Sequence, residues 1–176
     1  MFLKHFLVCR RYRLALFLLV VQIFFQVHAD VLREGESLML QGGPYVLHWN
    51  ENDKDSKRNS WPALLGAEWE NAERWELGTA VFRNSFYQSS VYVYAGRRWF
   101  LPRVADGLYV KLTGGPLYGY RGEYEKKVPF NYNGLGLAVL PALGYQYGKA
   151  NVQTVFLGTA AVIFTFGYEF DWGAPR

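Results

Sequence analysis

The sequence predicts an all-β protein, an eight-stranded antiparallel transmembrane β-barrel preceded by a cleaved signal peptide. Residues 1–29 have the pattern of an export signal, and no later stretch is apolar for long enough to form a spanning helix. Aromatic residues make up 18% of the chain, more than a soluble domain of this size needs. The remaining residues alternate in eight segments, which is typical of outer-membrane barrels. A secreted β-sandwich is the alternative, and the aromatic outward faces favour the barrel.

The N-terminal segment accounts for the basic charge of the chain. An apolar run, 14–25, follows its basic residues, and Val27-His28-Ala29 resembles a cleavage site, so we expect the mature chain to begin at Asp30. Removing the four basic residues leaves 15 basic residues of the original 19 against 15 acidic ones, and no nucleic acid partner is expected. Cys9 and two histidines leave as well, so no disulfide, metal site or cofactor is expected. The basic residues are Lys4, Arg10, Arg11 and Arg13.

The first strand of the barrel is predicted to place a histidine inside. Residues 30–43 are polar and are assigned to a periplasmic lead-in, and the barrel is assigned to 44–170. In strand one, 44–50, aromatic residues share one face and His48 lies on the other. Lipid prefers the aromatic face, so His48 is expected to point inward. The charged stretch 51–60 indicates a long external loop.

The other strands are predicted from alternation between turns. A tight turn at Asn71-Ala72-Glu73-Arg74 separates strands two and three, and a long basic loop, 121–133, separates strands five and six. Short turns belong on the periplasmic side and long loops outside, so strands one and three should end at the same external rim. A short tail, 171–176, follows the barrel. The predicted strands after the first are 63–70, 75–84, 90–99, 108–120, 134–147, 151–158 and 161–170.

The expected inward face is unusually apolar. Such a lining either holds a hydrocarbon chain or simply fills the interior. The second interpretation is favoured, because eight strands usually leave space only for side chains. The apolar residues expected to face inward are Val46, Ala80, Phe82, Tyr92, Tyr94, Ala138, Leu140, Leu157 and Ile163.

Three polar residues should meet at the external rim. His48 can act as a general base, and Ser85 can act as a nucleophile or as a hydrogen-bonding partner. Asn84 can orient His48 or donate to an oxyanion. Ser85 faces outward by parity unless strand three ends before it. Taken alone, such residues form an inert polar rim more often than a catalytic site.

Pro141 interrupts the sixth predicted strand. Proline removes a ladder hydrogen bond, so it locally opens a barrel wall. The opening is either a lateral gate for lipid or a tolerated bulge, and the sequence does not favour one over the other.

The residues of the rim and of strand six carry a resemblance to a family. The chain resembles a divergent member of the outer-membrane lipid A palmitoyltransferases, over about 48–170. The family's motif is a phenylalanine, a basic residue, aspartate and serine, and here asparagine replaces the aspartate. The residues that carry the resemblance are His48, Phe82-Arg83-Asn84-Ser85, Leu140-Pro141-Ala142-Leu143-Gly144-Tyr145, Arg121, Trp61, Trp69 and Trp75.

The resemblance implies a monomeric enzyme of the Gram-negative outer membrane. It would move a palmitoyl chain from the sn-1 position of a glycerophospholipid donor to the acceptor lipid A, among the other lipids of that membrane. Its catalytic residues would be His48, Asn84 and Ser85. The residues expected to contact substrate are Arg121, Tyr92, Tyr94, Gly96 and Pro141.

Two other functions remain open. The first is a non-catalytic small barrel with a structural or interaction role, which predicts no lipid modification. The second is a lipid A deacylase, a barrel enzyme whose histidine and serine lie close together on a late strand. No histidine follows His48 in this chain, which argues against the deacylase.

Overall fold

The computed structural model describes residues 35–49 and 58–171, which form a closed barrel of eight antiparallel strands in sequential order. The predicted all-β barrel class is confirmed. The predicted signal peptide, the centre of the first loop and the tail after Asp171 lie outside the described residues. The strands are β1 (Ser37–His48), β2 (Leu64–Glu70), β3 (Trp75–Arg83), β4 (Ser89–Phe100), β5 (Leu108–Tyr118), β6 (Leu135–Tyr147), β7 (Ala150–Leu157) and β8 (Ala161–Asp171), and a 3₁₀ helix spans Gly122–Lys127.

No helix in the described part of the chain is both long and apolar enough to cross a membrane.

Strand β1 begins at Ser37, so the predicted lead-in, 30–43, is wrong over its last part. Ser37 to Gly43 pair with β2, and Ser37 to Gly42 also pair with β8. Two of the inward residues of this segment, Ser37 and Gln41, are polar because the interior is polar at that depth, and their polarity concealed the strand. The other seven strands lie close to their predicted bounds.

A β-bulge in β1 sets which residues face inward near its end. Gly42 pairs with Phe166 and Tyr45 pairs with Phe164, so β1 carries one residue more than β8 in this interval. Before the bulge, the odd-numbered residues from Ser37 to Gln41 are buried, and after it Val46 is buried. The bulge therefore turns His48 towards the interior.

The connections divide the barrel into two ends. The turn end carries the connections 71–74, 101–107 and 148–149, and the loop end carries 49–63, 84–88, 119–134 and 158–160. The outer face between them is apolar, and exposed aromatic side chains lie at both ends. At the loop end these include Tyr45, Trp49, Trp61, Tyr118 and Tyr132, and at the turn end they include Trp75, Trp99, Tyr145, Tyr147 and Tyr168.

Outward and inward faces alternate along β8. Phe164, Phe166 and Tyr168 are exposed, and Thr165 and Glu169 are buried. Val162 shares the outward face with its cross-strand partners Leu47 and Phe156, although it is only 4% exposed.

The interior of the turn end is filled by an ion network. Arg98 Nε lies 2.8 Å from Glu70 Oε2 and 3.0 Å from Glu76 Oε1. Lys111 Nζ lies 2.7 Å from Glu68 Oε2. Buried charges persist only where they are paired, and here each one meets an opposite charge. The network comprises Arg98, Lys111, Glu68, Glu70, Glu76 and Glu169, all buried.

The barrel wall is incomplete between β6 and β7. The register of these strands runs from Ala142 opposite Val155 to Tyr147 opposite Ala150. Towards the loop end, the β6 segment 135–141 pairs with β5 but has no β7 partner in that register. The pairing therefore stops immediately beside Pro141, which has no N–H to donate.

Candidate active site

His48 and Ser85 meet at the loop end of the barrel. His48 is the last residue of β1, and β3 ends at Arg83, so Ser85 lies in the turn that follows. His48 Nε2 is 2.8 Å from Ser85 Oγ. Because the strand ends before Asn84, the parity that would have turned Ser85 outward does not apply. When His48 is neutral with its proton on Nδ1, Nε2 accepts the hydrogen of the Ser85 hydroxyl.

Asn84 holds the turn that carries Ser85. Its side chain is buried, and its Oδ1 accepts hydrogen bonds from the backbone N–H groups of Phe86, at 2.9 Å, and Gln88, at 3.0 Å. Its Nδ2 donates to Ser90 Oγ at 3.1 Å and to the Gly119 carbonyl at 3.4 Å. Both the oxygen and the nitrogen of the amide are therefore hydrogen-bonded within and around the turn, and neither contacts His48 in these four bonds.

Asn59, which sequence reasoning missed, ties the first loop to the same turn. Its N–H donates to the Ser85 carbonyl at 2.9 Å, and its Nδ2 donates to the carbonyls of Arg83, at 3.2 Å, and Asn84, at 3.3 Å. Asn59 is buried although it lies next to a charged stretch. The charge of that stretch predicted only a solvated loop, so no sequence signal singled out Asn59.

A cavity of about 570 Å³ lies below the His48–Ser85 pair. This volume falls within the usual range of small-molecule pockets, roughly 300–1,000 Å³. The expectation of a merely packed interior is therefore wrong for the loop end. All the apolar residues predicted to face inward line the cavity, which are Val46, Ala80, Phe82, Tyr92, Tyr94, Ala138, Leu140, Leu157 and Ile163.

The cavity floor lies against the ion network. Tyr94 lines the cavity, and its hydroxyl donates to Glu68 Oε2 at 2.8 Å and accepts from Gln41 Nε2 at 3.1 Å. Tyr92 stacks on Tyr94 with ring centroids 4.8 Å apart and donates to Thr113 Oγ1 at 3.2 Å. Both tyrosines therefore present rings to the cavity and use their hydroxyls on the wall or the floor.

The cavity also extends towards the gap between β6 and β7. Leu137 and Val139 are exposed on the outside of the barrel, yet both contribute to the cavity lining. Their part of β6 is the segment without a β7 partner. Pro141 lies at the lower edge of this gap, next to the first paired residue, Ala142. Its position agrees with a lateral opening, which is one of the two roles predicted for it.

Three of the residues expected to contact substrate are outside the cavity lining, namely Pro141 at the edge of the gap, Gly96 and Arg121. Gly96 is buried beneath the floor, where an added Cβ would lie 2.7 Å from the Leu112 carbonyl oxygen. Arg121 is exposed at the start of the 3₁₀ helix, with its guanidinium 5.8 Å from the centre of the Tyr118 ring. Its backbone also exchanges hydrogen bonds with the side chain of Gln88.

Among residues 35–49 and 58–171, no group of three or more histidine, cysteine or acidic side chains is arranged to hold a metal ion. No family model matches the chain, and no curated protein matches it significantly. Fold and site together define a closed β-barrel with a histidine–serine pair at the mouth of an internal, mainly apolar cavity.

Proposed function

We propose that the protein is an outer-membrane acyltransferase that moves a palmitoyl chain from the sn-1 position of a glycerophospholipid to lipid A. The observation that carries the proposal is the 2.8 Å contact between His48 Nε2 and Ser85 Oγ at the mouth of the apolar cavity. A proton acceptor and a hydroxyl are thereby placed where the ester of a lipid would lie if its acyl chain filled the cavity.

The outer surface supports a membrane location. Soluble monomers rarely expose contiguous apolar patches larger than a few hundred Å². This barrel exposes large apolar side chains on all its strands, and aromatic side chains lie at both of its ends. Such a band flanked by aromatic girdles is the surface that outer-membrane barrels present to lipid. The export signal predicted at residues 1–29 agrees with this location.

The His48–Ser85 pair supports two routes for transfer. In one, His48 takes the proton of Ser85, the serine oxygen attacks the sn-1 ester, and the lysophospholipid leaves with the proton that His48 returns to its sn-1 oxygen. The lipid A hydroxyl then attacks acyl-Ser85, gives its proton to His48, and releases Ser85, which recovers a proton from His48. In the other, His48 takes the proton of the lipid A hydroxyl, whose oxygen attacks the sn-1 ester directly, the lysophospholipid leaves with that proton, and Ser85 holds the imidazole in place. Acyl-Ser85 detected by mass spectrometry after a single turnover without acceptor supports the first route.

Asn84 acts in this proposal as a positioning residue. Its amide groups are occupied by Phe86, Gln88, Ser90 and Gly119, so it holds the turn in which Ser85 meets His48. An aspartate at this position keeps an acceptor for the two backbone N–H groups and loses the donor to Ser90 Oγ and to the Gly119 carbonyl. The asparagine therefore suits this turn, because the carbonyl oxygen of Gly119 needs a donor.

The test is mass spectrometry of lipid A from cells with the gene, without it, and with His48→Ala or Ser85→Ala. We expect one additional palmitoyl chain only with the unaltered protein. Ser89→Ala is the matched control, because Ser89 is exposed at the start of β4 and does not line the cavity. Donors labelled at sn-1 or at sn-2 identify the ester that is cleaved.

Identical lipid A from all these cells, with the barrel folded in the outer membrane, would refute the proposal. That result would leave the non-catalytic barrel. Loss of an acyl chain from lipid A would instead indicate a deacylase.

A further inference from the structure

One charged side chain faces outward within the apolar surface of the barrel. Arg97 lies on β4 between the buried residues Gly96 and Arg98, and it shares its face with the exposed Trp99. Among the outward positions of the eight described strands, the only other charged residue is Arg83, the last residue of β3. A charge on a lipid-facing wall is unfavourable at the membrane centre and tolerated near the membrane surface. The position of Arg97 therefore needs an explanation that the apolar wall does not supply.

Two tryptophans hold the Arg97 guanidinium at the turn end. Trp75, the first residue of β3, is the cross-strand partner of Arg97, and its ring centre lies 5.2 Å from Arg97 Cζ. The ring centre of Trp99, two residues further along β4, lies 5.8 Å from the same atom. Both indoles are exposed. Exposed tryptophans at the ends of membrane barrels lie at the level of the lipid headgroups, so the charge is placed at that level as well.

The guanidinium of Arg97 has no anionic partner in the described part of the barrel. None of the ion pairs found there includes Arg97. Its Nε is shielded by the surrounding side chains and donates no hydrogen bond to a described residue, whereas its two terminal nitrogens are not buried in this way. Contacts with aromatic rings stabilise a cation but leave its charge in place. The terminal nitrogens are therefore available to an anion from outside the chain.

Apolar side chains adjoin Arg97 on the side of the loop end. Leu77 follows Trp75 on the outward face of β3, and Leu112 of β5 is the second cross-strand partner of Arg97. Both leucines are exposed. Leu77 also lines a groove of about 320 Å³ on the outer wall, together with residues of β1 and β2. A ligand whose anionic group lies at Arg97 can therefore place apolar chains along this wall.

We propose that Arg97, Trp75 and Trp99 form a binding site for the headgroup phosphate of a phospholipid on the outer wall of the barrel, at its turn end. A guanidinium donates paired hydrogen bonds to two phosphate oxygens, and the two indoles carry further N–H donors at the same level. The acyl chains of the lipid lie along Leu77 and Leu112.

This site is separate from the proposed catalytic cavity. None of Arg97, Trp75 and Trp99 lines the cavity. The inference depends on the membrane location of the barrel and not on acyl transfer, so the lipid bound here is a lipid of the barrel wall and not a substrate.

The first test measures lipid binding without turnover. Full-length barrel in non-ionic detergent is titrated, with native mass spectrometry as the readout, with a dialkyl ether analogue of phosphatidylglycerol and, separately, with dialkylglycerol of the same chains. Arg97→Gln should weaken binding of the phosphatidylglycerol analogue roughly ten-fold, the value of one charge-assisted hydrogen bond, and leave dialkylglycerol binding unchanged. Arg103→Gln is the matched control, because it removes the same charge from an exposed position in the turn after β4.

The second test locates the bound lipid. The chain contains one cysteine, so Cys9→Ser allows a fluorophore to be attached at a single introduced cysteine. Leu77→Cys places the fluorophore beside the site, and Leu47→Cys places it on the outward face of β1 near the loop end. A nitroxide on the headgroup of the phosphatidylglycerol analogue should quench the fluorophore at position 77 more strongly than that at position 47. Arg97→Gln should remove this difference.

Equal losses in Arg97→Gln and Arg103→Gln would overturn the site, because they would indicate a general attraction of charge. An equal loss of affinity for both lipids, or equal quenching at the two labelled positions, would overturn it as well. If Arg97→Gln does not fold, Arg97→Lys keeps the charge and removes the paired donors, so it should weaken binding of the phosphatidylglycerol analogue alone. Because an ether lipid cannot be cleaved as an ester, these results stand whether or not the protein transfers acyl chains. Failure of the acyltransferase proposal and failure of this site are therefore distinguishable.

Discussion

The two ends of the barrel interior are enclosed by the same eight strands but have opposite contents. At the turn end, Arg98 and Lys111 form ion pairs with four buried carboxylates at distances of 2.7 to 3.8 Å. At the loop end, small and apolar side chains leave a cavity of about 570 Å³. The number of strands therefore does not determine whether a barrel of this size is filled or hollow. The inward side chains determine it, end by end.

Tyr94 marks the boundary between the two ends. Its ring lines the cavity, and its hydroxyl donates to Glu68 of the ion network. Filling one end with paired charges makes a rigid floor, because each charge is costly to move away from its partners. A rigid floor in turn allows the other end to remain open without collapsing. We expect stability to depend mainly on the turn end and lipid chemistry mainly on the loop end.

The largest expected effect comes from removing the central cation of the ion network. Arg98→Met leaves four buried carboxylates with Lys111 as their remaining buried cation, and breaking a buried ion pair in this way costs about 3–5 kcal/mol. The free energy of unfolding, measured in urea with the barrel in detergent, should fall by that amount. Ile163→Val, on the cavity wall, should cost only about 0.5–1.5 kcal/mol.

Adding Glu76→Gln to Arg98→Met should recover part of the lost stability, since it removes one of the negative charges that Lys111 alone cannot balance. If Arg98→Met and Ile163→Val lower the free energy of unfolding equally, or if Arg98→Met with Glu76→Gln is no more stable than Arg98→Met alone, stability does not depend mainly on the turn end.

A smaller loss is expected from the turn that carries Ser85. Asn84→Ala removes the acceptor of two backbone N–H groups and the donor to Ser90 and Gly119. Leaving buried groups unsatisfied costs about 1–3 kcal/mol, so stability should fall by that order and kcat should fall with it. Asn84→Asp keeps an acceptor for both N–H groups and should retain most of the stability and activity. Urea unfolding and acyl transfer, measured on the same preparations, test both variants.

A full loss of activity in Asn84→Ala without any loss of stability would point instead to a direct role for Asn84 in the reaction. In that case the amide would contact the reacting atoms and not only the turn.

A change in acyl-chain selectivity, and not a loss of activity, is expected at the cavity floor. A Cβ added to Gly78 would lie 2.3 Å from Cζ of Tyr94, so Gly78→Ala must displace this ring towards the cavity. The floor would rise, and mass spectrometry of lipid A should show a shorter transferred chain when cells offer mixed donors. Such overpacking costs about 1–3 kcal/mol.

Gly144→Ala is the matched control, because its Cβ would lie 2.2 Å from Cζ of Tyr109, which does not line the cavity. It should destabilise the barrel similarly and leave the transferred chain unchanged. The same chain distribution in both variants would show that Tyr94 does not limit chain length.

Much of this architecture could be predicted because alternation is a local property. The outward aromatic residues of β1 predicted that His48 faces inward, and loop parity predicted that His48 and Ser85 lie at one rim. The structure brings the two side chains into contact. Pro141 could be singled out for the same reason, since a residue without an N–H disturbs any ladder locally.

The ion network, the cavity and the role of Asn59 could not be predicted, because they depend on strand register, on side-chain volume and on the fold of a loop. The alternation of residues along a strand gives no information on these. Arg98 is an inward charge in any register, but its pairing with Glu70 and Glu76 depends on how β2, β3 and β4 align. Whether the loop end is hollow depends on the summed volume of inward side chains from every strand. Asn59 is recognised only because its loop folds back onto the turn at Ser85.

The extra residue of β1 between Gly42 and Tyr45 makes the site depend on residue count. Deleting one residue at this bulge would leave every polar side chain of the rim in place in the sequence, yet it would turn Leu47 inward and His48 towards lipid. A lineage of such barrels can therefore gain or lose its chemistry through a single codon insertion or deletion. Descendants would keep the same motif at Phe82-Arg83-Asn84-Ser85 whether or not His48 faces inward. The number of residues between the start of β1 and the histidine is therefore as informative about the site as the identity of the residues.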